Sequence, residues 1–317
     1  MPRQSLVRHL LPLLFMLPAA AVLAAPFAYV PNEKSGTLSV VDTADQSVGQ
    51  AIPAGKRPRG IAADPAGKYL YVTDASSNEL LVIDLPGRKI VRRVALGDSP
   101  EGVSISADGR WLAVALEEHN SVALLNAASG KREAEIRVQG KNPEHAVFSP
   151  DGRWIYVSAE EAQQIDVIDV AARKQIGSIE VGRRPRGIAF LPDSSRAYVA
   201  CELSNTVYAI DVASRKVIAE IRAGQFVNGV AVMPDGKRVF VSNGKDGTVS
   251  AIDTSSNTVV ATIEVGKRPW NMAITPDGQR LYVANGRSNS VSVIDTAALV
   301  KLADVPVGEL PWGVAIP

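Results

Sequence analysis

At an almost constant interval along the 317-residue chain stand seven side chains of varied chemistry: Arg59, Glu101, Glu144, Arg186, Asn228, Trp270 and Trp312. Each lies four residues after a glycine, in frames such as "GKRPRG" (55–60), "GRRPRG" (182–187) and "GKRPWN" (266–271), and all but Asn228 directly follow a proline. An arginine offers a planar fork to a carboxylate or phosphate, and a tryptophan offers a flat face to a ring or a cation. The next position holds Gly60, Gly102, His145, Gly187, Gly229, Asn271 and Gly313. A slot with a purely architectural role should keep one residue type, as the glycine of the frame does. The variation marks Arg59, Glu101, Glu144, His145, Arg186, Asn228, Trp270, Asn271 and Trp312 as a candidate ligand or partner site. The competing reading is that the arginines and glutamates satisfy one another as rim ion pairs.

Catalytic templates fit the chain poorly. Glu101 or Glu144 with His145 could act as acid and base, with Arg59 and Arg186 stabilising charge. There is no CxxC, CxxCH, GxSxG or Walker loop. The single cysteine, Cys201, excludes an intramolecular disulfide and reads as a small buried hydrophobe. "PDG" at 150–152, 234–236 and 276–278 recurs in register and reads as turn chemistry, as do the aspartates that end the "ID" runs. No metal site is expected from either set.

The elements that position these residues are set by a repeat. The frame glycines fall at 55, 97, 140, 182, 224, 266 and 308, and Asp42, Asp84, Asn126, Asp169, Asp211, Asp253 and Asp295 keep step with them. One unit, residues 266–307, holds four short apolar β-type runs separated by the turn signals "TPDG" and "GRSN". The runs are nearly continuous in apolar residues, which fits sheets covered on both faces. Such a unit is a propeller blade. The fold class is therefore all-β, a seven-bladed β-propeller of four-stranded antiparallel blades. The blades are expected at about 55–96, 97–139, 140–181, 182–223, 224–265 and 266–307, with a composite seventh from 308–317 plus 27–54 that closes the ring by pairing the two ends of the chain. The frame glycines are expected to use positive φ where the chain crosses between blades. Hairpin residues Glu117, Glu118, Glu160, Glu161 and Glu202 should face Lys34, Lys245 and Arg287 across the same end of the ring.

The beginning of the chain reads differently. Arg3 and Arg8 precede a short apolar run ending in small residues, the pattern of a secretory signal peptide over 1–24, with residues 25–317 as one propeller. Its removal would shift the formal charge from +1 to about −1. Neither value points to nucleic acid. No later apolar run is long enough to insert in a membrane. An exported, monomeric protein is expected.

"YVAN" (282–285), "YVTD" (71–74) and "FVSN" (240–243), each followed by a hairpin and "V-x-x-I-D", resemble the YVTN-type β-propeller repeat. In repeat layout and length the chain is similar to the small periplasmic propellers associated with quinoprotein (pyrroloquinoline quinone-dependent, PQQ-dependent) alcohol catabolism. That resemblance implies a periplasmic binding or accessory propeller serving a quinoprotein dehydrogenase, with PQQ as an associated cofactor. From the residues alone, the ligand is a small anionic or aromatic molecule. Two alternatives stay open: a lactonase-like hydrolase or quinone-dependent oxidoreductase subunit using Glu101, Glu144 and His145, and a cell-envelope module recognising a protein or polymer.

Overall fold

The computed structural model describes residues 26–317, so the expected signal segment lies outside the described residues. Blade 1 runs from an inner strand, Pro58–Ala63, outward through Tyr69–Asp74 and Glu79–Asp84 to Lys89–Ala95. Five further four-stranded antiparallel sheets repeat this order, ending with blade 6, whose strands are Pro269–Ile274, Arg280–Asn285, Ser290–Asp295 and Val300–Pro306. The middle strands are buried on both faces and the outer strands alternate between covered and exposed. This explains why only the outer runs carry regularly spaced polar residues. Among the described residues the one helical element is a 3-10 turn, Glu202–Ser204, and no helix is long and apolar enough to cross a membrane.

Blade 7 is the composite expected from the repeat. Phe27–Asn32, Thr37–Asp42 and the short Ile52–Pro53 form three strands, and the C-terminal segment supplies the inner one. Tyr29 and Ala315 exchange both backbone hydrogen bonds at 2.9 Å, and Trp312 N–H donates to the Pro31 carbonyl at 2.9 Å. Apolar clusters fill each blade-to-blade seam. The one that closes the ring packs Ala28, Val30 and Val314 against Tyr282, Ala284 and Val291.

The frame glycines correct one expectation. Of the seven only Gly55 has a positive φ, of 89°. The left-handed residue is instead the second after the glycine, which precedes the proline or, in blade 5, Val227: Ser99, Asn142, Arg184, Phe226, Arg268 and Leu310, with φ between 52° and 59°. At five of the seven, Gly55, Gly140, Gly224, Gly266 and Gly308, glycine is required because a Cβ would collide with the end of the second strand, as at 2.6 Å from Asn285 Cγ at Gly266 and 2.6 Å from Asn32 Cγ at Gly308. Those asparagines are fully buried and bind the next strand, as Asn285 does through Ser290 Oγ at 3.2 Å and Ser292 Oγ at 2.9 Å. The "ID" aspartates hold turns as expected. Asp295 Oδ1 accepts from the backbone N–H of Ala297 and Ala298 at 3.0 and 2.9 Å.

Candidate functional site

The slot after the proline is a β-bulge. In blade 1, Pro58 pairs with Asp74 and Ile61 with Val72, which leaves Arg59 and Gly60 opposite Thr73 alone. The same shift recurs in blades 2, 4, 5 and 6. A bulge breaks pairing and re-aims side chains, and here it turns the slot residues into the mouth of the central channel. Glycine follows because inner strands of adjacent blades meet backbone to backbone. A Cβ on Gly187 would lie 2.5 Å from the Asn228 carbonyl, and one on Gly102 2.7 Å from that of Glu144. Blade 3 departs from the pattern. His145 pairs with Ser158, so Glu144 alone bulges.

The two non-glycine residues of that second position meet below the mouth. The His145 ring stacks on Trp312, with centroids 5.6 Å apart and planes 18° from parallel, and Asn271 Nδ2 donates to the Trp312 carbonyl at 3.4 Å. Burial pushes the His145 imidazole down to about 4, opposed only by Asn271. The ring is therefore neutral at pH 7. Its partners are Asn271 and Trp312, and among the described residues it makes no hydrogen bond to Glu101 or Glu144.

Above this floor a cavity of about 380 Å³ is lined by Arg59, Glu101, Glu144, Arg186, Asn228, Trp270, Asn271 and Trp312, together with charged residues from neighbouring loops. Arg59 pairs with Glu101 and reaches Glu33 at 3.3 Å, while Arg57 Nε lies 2.7 Å from Glu33 Oε1. On the other side Arg186 pairs with Glu144 and Glu160 and approaches Glu202 at 3.0 Å. Arg184 adds a bond to Glu160 at 2.8 Å and Arg268 one to Glu202 at 2.7 Å. Every arginine at the mouth is thus held by a glutamate. The ion-pair reading and the site reading describe the same constellation.

Burial, opposed by Arg59 and reinforced by the neighbouring Glu117 charge, pushes the Glu101 carboxyl up to about 7. Burial also raises Glu160 against the pull of Arg184. For Glu202, burial acts upward, but Arg186, Arg184 and Arg268 outweigh it and hold the group below its ordinary value.

Several of these residues were missing from the sequence-derived set: Glu33, Arg57, Arg184 and Arg268, and the inward turn of Glu117, Glu160 and Glu202. They occupy two more slots of the repeat. One is the residue before the proline, or before Val227 in blade 5: Arg57, Ser99, Asn142, Arg184, Phe226, Arg268 and Leu310. The other is the residue after the second strand: Glu33, Ala75, Glu117, Glu160, Glu202, Gly244 and Gly286. In every blade the N–H of the second slot donates to the carbonyl of the first, at 2.9 Å for Glu202 to Arg184 and 3.0 Å for Gly286 to Arg268. Gly286 leaves room for the Trp270 ring, which a Cβ there would meet at 2.5 Å. Of the expected charge split, Glu118 and Glu161 remain exposed, and Lys34 pairs with Glu309 at 2.6 Å. Lys245 and Arg287 line a separate groove between blades 5 and 6. Cys201 is buried, and burial pushes its thiol up to about 12, so it stays protonated. Among the described residues no group of three or more His, Cys, Asp or Glu is arranged to hold a metal ion.

Fold and mouth together define a seven-bladed propeller with a diversified, charge-paired channel opening. The sequence profile of the YNCE-like beta-propeller family matches residues 42–238, more than half of the chain, and the chain belongs to that family. No curated protein matches it. Among solved structures, Kuenenia stuttgartiensis hydrazine synthase is similar, with a TM-score of 0.78 and 22% identity over 89% of this chain and 99% of that one. A functionally unknown protein from Desulfotomaculum acetoxidans DSM 771 gives a TM-score of 0.81 and 17% identity over 92% of this chain and 98% of that one. At these identities the likeness is one of fold.

The quinone implied by the resemblance is a rigid aromatic tricarboxylate, and the mouth does not fit it. Its arginines are already engaged by glutamates, and Glu101 and Glu117 would face the cofactor's carboxylates.

Proposed function

We propose that this protein is an exported, non-catalytic binding propeller that takes its ligand or partner at the channel mouth, as an accessory to a periplasmic quinoprotein alcohol dehydrogenase system whose quinone resides in the dehydrogenase. The observation that carries the binding role is the variation of three repeat slots on an otherwise uniform ring. All three lead into one polar cavity. Rigid scaffolds commonly carry recognition on such loops. The periplasmic setting is supported by the signal-like N-terminal sequence, and the quinoprotein setting by repeat layout and length.

The test is native mass spectrometry of what co-purifies from periplasm. An Arg59→Gln, Arg186→Gln variant, checked for a cooperative melt, should bind a different amount of that species than the wild type does, while Glu118→Lys, Glu161→Lys at the exposed hairpin tips should leave it unchanged. The reverse order would replace this reading with that of an envelope module using the outer rim.

A catalytic second reading is favoured by one observation: Glu101, held near 7, is in the range of a general acid or base at neutral pH. Turnover of lactones or alcohols that follows a titration near pH 7 and disappears in Glu101→Gln, with or without added quinone and calcium, would establish it.

A further inference from the structure

Charge is not shared evenly around the mouth. On one side Arg184, Arg186 and Arg268 divide Glu144, Glu160 and Glu202 among them. On the other, Arg57 and Arg59 serve Glu33 and Glu101, and Glu117 stands beside them with Ser99 Oγ, at 2.8 Å, as its side-chain donor. The surplus is one carboxylate, and it lies next to Glu101. Glu101 is 2% exposed. One of its oxygens accepts from Arg59, whereas the other, Oε2, is buried and has no hydrogen-bond partner. Both carboxylates and the ring of Trp270 line the same cavity.

A buried carboxylate oxygen without a donor is costly, and a second carboxylate beside it adds repulsion. A group that relieves both must donate hydrogen bonds and carry positive charge, and an aromatic face nearby adds attraction for such a group. The cavity, about 380 Å³, is at the small end for ligand sites. It suits a compact organic cation.

We propose that the channel mouth binds a primary-ammonium or guanidinium group at Glu101 and Glu117, in the cavity that Trp270 also lines, carried either by a free amine or by a basic side chain of a partner protein. This rests on the mouth being the binding site and names the chemistry it selects. Binding requires Glu101 as carboxylate; the charged groups acting on Glu101 are Arg59, Glu117, Arg57 and Arg186, and Glu33 and Glu144 line the same cavity. Affinity therefore falls as pH drops from 8 to 6, by up to about tenfold as a proton competes for Glu101.

Calorimetry on the full protein at pH 8 tests this, with agmatine as the free cation, a capped pentapeptide bearing one arginine as the side-chain source, and citrate and calcium chloride as controls. The expected result is saturable binding of agmatine or the peptide, the tighter of the two naming the source. Glu117→Gln, at the rim, should weaken it by about tenfold, and Glu101→Gln by at least as much. Melts of both variants establish that they fold. If Glu101→Gln does not fold, Glu117→Gln and the pH series decide. Equal binding in wild type and Glu117→Gln, binding of calcium instead, or no binding of either organic cation overturns the proposal. Citrate binding that is lost in Arg59→Gln, Arg186→Gln would overturn the cation inference while leaving the mouth as the binding site. If no probe binds and that double variant holds the periplasmic species at the wild-type level, both readings fall.

Discussion

At the scale of single residues, Glu101 shows what the mouth costs the fold. Its carboxyl, held near 7 mainly by burial, stays protonated in the folded chain at pH values where the unfolded chain, with an ordinary value of 4.5, has lost the proton. The sign follows from linkage. The folded state binds more protons between pH 4.5 and 7, so stability falls as pH rises through that window and the penalty is complete above it. The displacement corresponds to on the order of 3 kcal/mol. Glu202 works in the opposite direction, contributing stability above its unfolded value that is lost in acid. We predict that Glu101→Gln flattens the decline of the melting temperature between pH 5 and 8, measured by differential scanning calorimetry. Parallel curves for variant and wild type would show that Glu101 titrates normally. The residue scale is also where sequence reading fell short. The slot residues Arg59 to Trp312 were legible because they vary inside a fixed frame. Arg184, Arg268 and Glu202 were not, because a charged residue at a loop tip reads as solvated until the left-handed turn before the proline and the 3-10 turn at Glu202–Ser204 are seen to direct it inward.

At the scale of the element, the bulge links the site to the ring. Thr73 Oγ1 accepts from Gly60 N–H at 2.8 Å and donates to the Glu101 carbonyl at 2.7 Å, tying the bulge of blade 1 to the inner strand of blade 2. Ser242 does the same between Gly229 and the Trp270 carbonyl, at 2.9 and 2.7 Å. This gives the third residue of "YVTD" and "FVSN" its physical meaning: a buried hydroxyl that crosses a blade seam. The motif was legible in the sequence as a repeat, but its purpose was not, because the acceptor lies in the next blade, far along the chain. Replacing Thr73 with valine keeps the shape, removes the donor and strands two buried backbone groups. The expected loss is about 1–3 kcal/mol, read from urea unfolding, with Thr73→Ser recovering most of it. Because Arg59 and Glu101 sit on the two strands so joined, Thr73→Val should also weaken whatever the mouth binds. An unchanged midpoint would mean that the hydroxyl is not needed at that seam.

At the scale of the whole molecule, fold and closure were the most legible features, since six complete in-register units and a seventh split between the two ends leave few other arrangements. What the repeat could not convey is how much of the closure is shared with the site. The segment 309–317 supplies the inner strand of blade 7 through the bonds to Tyr29 and Pro31, and Val314 and Ala315 each enter an apolar seam on one side of that blade. Trp312 is 8% exposed and provides the surface on which His145 stacks, so the same segment floors the mouth. Removing it uncovers the edge of Phe27–Asn32, a buried apolar strand, and opens both seams at once. An unpaired apolar edge is a template for pairing with other chains. Deletion of 309–317 is therefore expected to give aggregated or unfolded protein, seen as loss of the monomer peak in size-exclusion chromatography and of a cooperative thermal transition. Trp312→Leu should leave the ring closed, and alter only the mouth beneath which His145 lies. A truncated chain that stays monomeric and melts like the wild type would show that six blades suffice, and that the bonds to Tyr29 and Pro31 fasten a tail instead of closing a ring.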